Sequence, residues 1–269
     1  LCLFASITHL LTYWYLSSGA HPEREEKLVL YPIFLILAGG VNWAFFTGDL
    51  FNLFVSFEII LLCSYALMVH GGEKGQLREG FKFVILNLIA SAIFLTAAGL
   101  TYAYFGSLNF ADLAIRIQQT ENQAAVLIIG SMLLFVFAMK SAVFPLYYWL
   151  PDAYPKAPVG ILPYFGGILT KVGVYCLFRV FTLIFDVGWS EWFQPILLAI
   201  GGLTMFLGVM GAVGQWTIRR ILSVHIISQI GYMIFALGLN TPLALGAGLF
   251  YIIHNMVVKS ALFMVGGAV

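Results

Sequence analysis

Four ionisable side chains stand inside runs so apolar that no shift of a boundary brings them to water: Glu58, Lys140, Lys171 and Lys259. Each costs at least about 2.5 kcal/mol near the centre of a membrane helix, so each needs a reason to be there. Glu58 lies in GDLFNLFVSFEIILLCSYALMV with about ten residues on either side, which at 1.5 Å rise per residue puts it near the bilayer midplane. It is the only deeply placed acid. Lys140 follows LIIGSMLLFVFAM and Lys171 follows ILPYFGGILT, both too far from their helix ends to reach water fully by extending the side chain. Lys259 comes five residues after His254. At about 100° per residue the two are about 140° apart, on neighbouring faces of one helix. The chemistry open to such groups is proton transfer, because a lysine that alternates between ammonium and amine carries a proton. A structural ion pair between Glu58 and one lysine accounts poorly for three lysines against one acid, since the others must shed protons or find water.

Pro145 adds a backbone signal. It falls five residues after Lys140 in the same run, cannot donate to the carbonyl of Ser141 and presses on the preceding turn, so the helix is expected to break there. Unwound backbone at membrane depth survives only where protein or a water-filled cavity satisfies it, and such breaks mark ion sites in transporters. A packing kink is the plainer alternative. His225, with Gln229 one turn on, and His254 are imidazoles in apolar segments. Each is either a hydrogen-bonded helix contact or a relay, since imidazole titrates near pH 6.5. Asn87 and Ser91, a turn apart, could bind water on the same route, although helix contact is the simpler reading. His9, His21 and His70 are read as lying near segment ends or in connections and carry no claim. Asp49 and Asn52 open a segment and are read as its cap.

The elements that position these groups must be membrane helices. Of 269 residues 61% are apolar and 9% charged, with a mean hydropathy of +0.97; soluble domains run at about 45–50% apolar and about 25% charged. Polar punctuation leaves nine apolar segments, at about 1–17, 28–47, 50–69, 81–105, 124–150, 161–185, 193–214, 221–239 and 243–269, each read as long enough to cross as a helix at roughly 20 residues per span. Runs without alternation exclude a barrel, and lipid requires backbone groups to pair internally. The expectation is an all-α polytopic membrane protein of about nine spans. The stretch 106–123 mixes Asp112, Arg116, Gln118 and Glu121 with Leu113, Ile115 and Ile117, as an interfacial amphipathic element would. Gly208, Gly211 and Gly214 let helices pack closely.

A net charge of +1 without a basic stripe argues against nucleic acid as a partner. Cys2, Cys63 and Cys176 are isolated and read as small hydrophobes. No zinc-protease, nucleotide-loop or nucleophile-elbow motif occurs, so covalent chemistry is not expected, and no cofactor or metal is required. Arg24, Lys27, Lys74, Arg78, Lys82, Lys156, Arg219 and Arg220 fall in or beside the first, third, fifth and seventh connections, whereas Arg116 and Arg179 fall on the other side. The odd-numbered connections should therefore be cytoplasmic. The chain shows no signal-peptide n-region, and both ends, Leu1 and Val269, lie inside hydrophobic stretches and look cut from a longer protein.

The runs FFTGDLFNLFVSFEIILLCSYALMVHGG, FAMKSAVFPLYYWLPDAYPKAP, GGILTKVGVY, RRILSVHIISQIGYM and HNMVVKSALF resemble, in this order, the D-type subunit of Mrp-type multisubunit Na+/H+ antiporters, over residues 45–263. The wider family includes the antiporter-like membrane subunits of respiratory complex I and membrane-bound hydrogenases. The resemblance implies inverted repeats of five helices, the first at about 28–185 and a partial second at about 193–269. It matches Glu58 to the family's buried glutamate, Lys140 to the lysine beside the first broken helix and Lys171 to the central lysine of the next. His254 and Lys259 match the start of the second half-channel. A proton would pass from Lys140, tuned by Glu58, through Lys171 toward His254 and Lys259, with His225 as a further relay; the distal group of the second broken helix is missing. Also implied are other membrane subunits as partners, the bilayer of the cell membrane, and protons and Na+ or another monovalent cation as cargo. The rival reading is a proton-pumping subunit of a redox-driven complex, and a third is a scaffold in which polar residues only join helices.

Overall fold

The computed structural model describes residues 1–18, 24–185 and 189–268, and of 24–28, 189–191 and 268 the backbone alone. His21 lies outside the described residues, as do the side chains of Arg24 and Lys27. Helix dominates, and no strand occurs among the described residues beyond a single bridge between Asp49 and Asn109. Hydrocarbon imposes this outcome, since only a helix satisfies its own backbone.

In chain order the helices are α1 (Cys2–Ser17), α2 (Arg24–Phe46), α3 (Leu50–Met68), α4 (Lys74–Phe105), α5 (Phe110–Gln119), α6 (Gln123–Ser141), α7 (Leu150–Lys156), α8 (Leu162–Tyr164), α9 (Thr170–Leu183), α10 (Trp189–Val213), α11 (Ile218–Leu239) and α12 (Pro242–Ala268). Eight helical stretches among the described residues are long and apolar enough to cross a membrane. The first of the nine expected segments is also a helix, α1, but with 16 residues it reaches about 24 Å, short of the roughly 30 Å hydrocarbon core. His9, expected near a segment end, instead sits midway along α1, buried with its ring 4.4 Å from Phe34 and 5.8 Å from Tyr164.

Several boundaries follow from caps. The Asp49 carboxylate accepts from the N–H groups of Phe51 and Asn52, both at 2.9 Å, and so starts α3 as expected. Glu73 and Gln76 form a capping box that starts α4 at Lys74, seven residues before the apolar run. In the amphipathic α5, Phe110, Leu113 and Ile117 are buried while Arg116 pairs with Asp112 at 2.9 Å across one turn. The Arg116 and Ser107 hydrogen bonds hold the Asp112 carboxyl below its ordinary value. Of the three packing glycines, Gly208 lies against the backbone of Ser228 and Gly211 against Val224, whereas Gly214 meets only carbonyls of its own helix.

The connections gather at two ends, as the charge pattern requires. At one, a cavity of about 380 Å³ is lined by Leu16, His70, Gln76, Lys156 and Arg219, from the first, third, fifth and seventh connections or their edges. A second, of about 580 Å³, adds Asp152 and Arg220, paired at 2.8 Å. At the other end the N–H of Leu50 donates to Leu108 and that of Phe110 to Gly48, while Arg179 donates to the Phe45 carbonyl and lies 5.1 Å from the Phe110 ring.

Candidate functional site

The sixth helix stops at Ser141, four residues before Pro145. Ala142 takes the left-handed conformation with φ of 58°, and helical turns resume only at Leu146. The break leaves backbone groups to be satisfied from elsewhere. The Phe144 N–H donates to Thr204 Oγ1 at 3.0 Å, from the buried side of α10, and Trp149 Nε1 donates to the Met139 carbonyl at 3.1 Å. Gly173 of α9 lies so close that a Cβ there would sit 3.1 Å from the carbonyl carbon of Lys140. The break is thus enclosed by α9, α10 and Trp149, with Lys140 on its last turn.

Lys140 is 8% exposed. Its Nζ donates to Ser91 Oγ at 3.3 Å and lies 5.6 Å from the Phe57 ring, a cation–π distance. Glu58, one residue along α3 from Phe57, is half-buried, and one of its carboxylate oxygens is buried without a hydrogen-bond partner. No ion pair joins Glu58 to any cation among the described residues.

Ahead of α9 the chain does not run as a plain helix. After α8 it widens into a π-helical turn over Phe165–Leu169, of the kind frequent at functional sites. Lys171, 0% exposed, bends back so that its Nζ donates to the Gly166 carbonyl at 2.6 Å. No acid pairs with it among the described residues. Direct contact between Lys140 and Lys171 is not found, and what links them is the packing of the α6 break on α9.

Lys259, 1% exposed on α12, meets His225 of α11 with Nζ and Nδ1 2.5 Å apart. An ammonium can donate to a free imidazole nitrogen, or an imidazole N–H to a free amine, so the pair can hold a shared proton on either side. His225 Nε2 lies 3.4 Å from Gln229, whose Oε1 accepts from Tyr251 and, at 3.4 Å, from Asn255. His254 faces outward on α12 and stacks on Tyr251 at 5.8 Å, so it reaches this network only through that ring. The structure therefore joins Lys259 to His225, sets Lys140 on Ser91 and Phe57 and Lys171 on the Gly166 carbonyl, and leaves His254 at the margin. Tyr251 and Asn255 escaped sequence reasoning. Their signal was present, since Tyr251, Asn255 and Lys259 recur every four residues on one face of α12.

The family described as NADH:quinone oxidoreductase/Mrp antiporter, transmembrane, matches residues 47–269. A relative from Alkalihalophilus pseudofirmus, named as the D-type subunit of a Na(+)/H(+) antiporter, is 47% identical over 99% of this chain and 54% of its own. The chain spans about half the length of the curated relatives it matches. Among solved structures, the Mrp complex from Dietzia sp. DQ12-45-1b aligns with a TM-score of 0.82 at 39% identity, over 88% of this chain and 44% of that one. The membrane-bound sulfane sulfur reductase, an archaeal respiratory membrane complex, aligns with a TM-score of 0.88 at 31% identity, over 99% and 54%.

Proposed function

From the premise that the chain belongs to the NADH:quinone oxidoreductase/Mrp antiporter membrane family, we propose that it is the proton-translocating part of a D-type subunit in a multisubunit Na+/H+ antiporter. It is a multi-pass membrane protein. In this reading it resides in the cell membrane beside other membrane subunits, and its work is transport rather than covalent catalysis. The observation that carries the reading is that Lys140, Lys171 and Lys259, on three different helices, are all buried and have no acidic partner among the described residues. An ammonium without a counter-charge is costly in low dielectric, and in this reading successive lysines repel, so a proton on one disfavours a proton on the next.

The mechanism follows from that repulsion. Glu58 sets the field at Lys140, Lys140 exchanges protons beside the α6 break, and Lys171 receives charge in the centre. Lys259 and His225 then share it, with Gln229, Tyr251 and Asn255 holding the imidazole and His254 at the outer edge. The inverted repeats, about 28–185 and a partial second at about 193–269, belong to this proposal. The test is Na+-dependent dissipation of a pH gradient by the full reconstituted complex. Glu58→Gln and Lys140→Ala are each expected to slow exchange at least tenfold with assembly intact, within the roughly 10²–10⁴-fold reach of a positioned proton-transfer group. Normal exchange in both variants would remove the reading.

The fold match to the archaeal respiratory complex supports a second reading, a redox-powered membrane component that pumps protons. Copurification with flavin or iron–sulfur subunits would decide for it; copurification with small membrane subunits alone decides for the antiporter.

A further inference from the structure

The cavity beside Lys140 is small, buried and polar where it needs to be. It measures about 30 Å³ and is lined by Ser64, Asn87, Lys140, Trp149 and Tyr154, with apolar side chains completing the wall. That volume suits one water molecule, and a buried water requires polar groups with unused capacity. Two are at hand. The Tyr154 hydroxyl is buried, its residue 0% exposed, and it has no hydrogen-bond partner among the described groups. An ammonium has three N–H donors, and Lys140 uses one on Ser91. An orphaned hydroxyl in a tight site is unfavourable, so a ligand that satisfies it is favoured.

We propose that this cavity is a single-water site held between Lys140 Nζ and the Tyr154 hydroxyl, and that Tyr154 is a positioning residue for proton exchange at Lys140; the inference rests on the transport reading above. The geometry also fixes the side from which Lys140 loads. Tyr154, Leu150 and Ala153 form the buried face of α7, whereas Pro151, Asp152, Pro155 and Lys156 of the same seven-residue helix line the cavity of about 580 Å³ on the basic end. The water site is therefore one helix, α7, away from the cavity at the basic end and separated from the opposite end by the length of α6. In each exchange one proton moves: the water accepts a proton from solvent water of the cavity beyond α7 and passes one to the Lys140 amine, while the phenol, donor and acceptor at once, stays neutral and orients it. Tyr154 packs between Trp149, at 5.7 Å, and Phe165, at 5.9 Å, so its oxygen has a fixed place.

The test uses the full complex in proteoliposomes, with Tyr154→Phe, Lys140→Ala and, as a control, Tyr148→Phe at a position 67% exposed. Tyr154→Phe removes one oxygen and keeps the ring. It is expected to slow exchange about tenfold or more and to change its pH profile, with assembly unchanged and Tyr148→Phe at the parent rate. A high-resolution map of the parent complex should hold ordered density between Nζ and the hydroxyl. A parent rate and pH profile in Tyr154→Phe, a slower rate with the pH profile unchanged, or a dry cavity in the map each overturns the inference. Lys140→Ala at the parent rate would instead sink the transport reading itself. Loss in Lys140→Ala beside normal Tyr154→Phe removes only the water site.

Discussion

An ammonium in hydrocarbon needs a counter-charge or somewhere to send its proton, and Lys259 has an imidazole 2.5 Å away and no acid among the described residues. The distinction between holding a charge and releasing a proton can be tested by chemistry alone. Lys259→Arg keeps the charge but installs a guanidinium that does not give up its proton, so exchange is expected to fall about a hundredfold or more while the complex assembles; retained exchange would mean that Lys259 acts by charge only. Geometry also ranks the two histidines. His225→Ala should slow exchange about tenfold or more and His254→Ala severalfold at most, measured as initial rates of Na+-driven alkalinisation. At this scale the sequence revealed which residues are expensive but not which of them meet. Glu58, Lys140, Lys171 and Lys259 are conspicuous because their neighbours are apolar, whereas the Lys259–His225 contact joins positions 34 apart and depends on how two helices are rotated.

Helices and their breaks add constraints of another kind. The spans were legible because hydropathy reports immersion in lipid directly, and the break in α6 was legible because Pro145 cannot donate. Where the helix stops was not: it ends at Ser141 because Ala142 turns left-handed, Thr204 accepts from Phe144 and Trp149 donates to Met139. The π-helical turn before Lys171 left no sequence signal beyond the Gly166–Gly167 pair. Two substitutions separate the forces at the break. Ala142→Gly should stabilise the assembled protein by about 1 kcal/mol, since glycine adopts positive φ without the side-chain penalty. Thr204→Val strands the Phe144 N–H and should cost about 1–3 kcal/mol, both read from thermal unfolding of the complex in one detergent. In α5 the depressed Asp112 carboxyl gives a pH signature. Its contribution to helix stability is complete above the ordinary carboxylate value and is lost as pH falls through the lowered one. Hydrogen exchange over residues 110–119 should accelerate only in that acid range, and Arg116→Gln should move the onset upward.

Across the whole molecule, two cavities at the basic end, the broken α6 and buried lysines on α6, α9 and α12 belong to one helical bundle. The charge distribution grouped Lys156, Arg219 and Arg220 at one end, where they line these cavities, and put Arg179 on the other. It could not foretell the cavities, which depend on how connections far apart in sequence fold over one another. The Asp152–Arg220 pair bridges α7 and α11 at this end but is partly exposed, so Arg220→Gln should change stability by less than about 1 kcal/mol. Whether buried lysines on several helices trade protons is decided most sharply at Lys171, which no solvent reaches. Lys171→Met in the reconstituted full complex keeps the length and apolar packing of the side chain and removes its proton. An assembled complex that no longer dissipates a pH gradient on adding Na+ is expected; an assembled complex exchanging at the parent rate would refute proton trading through the lysines.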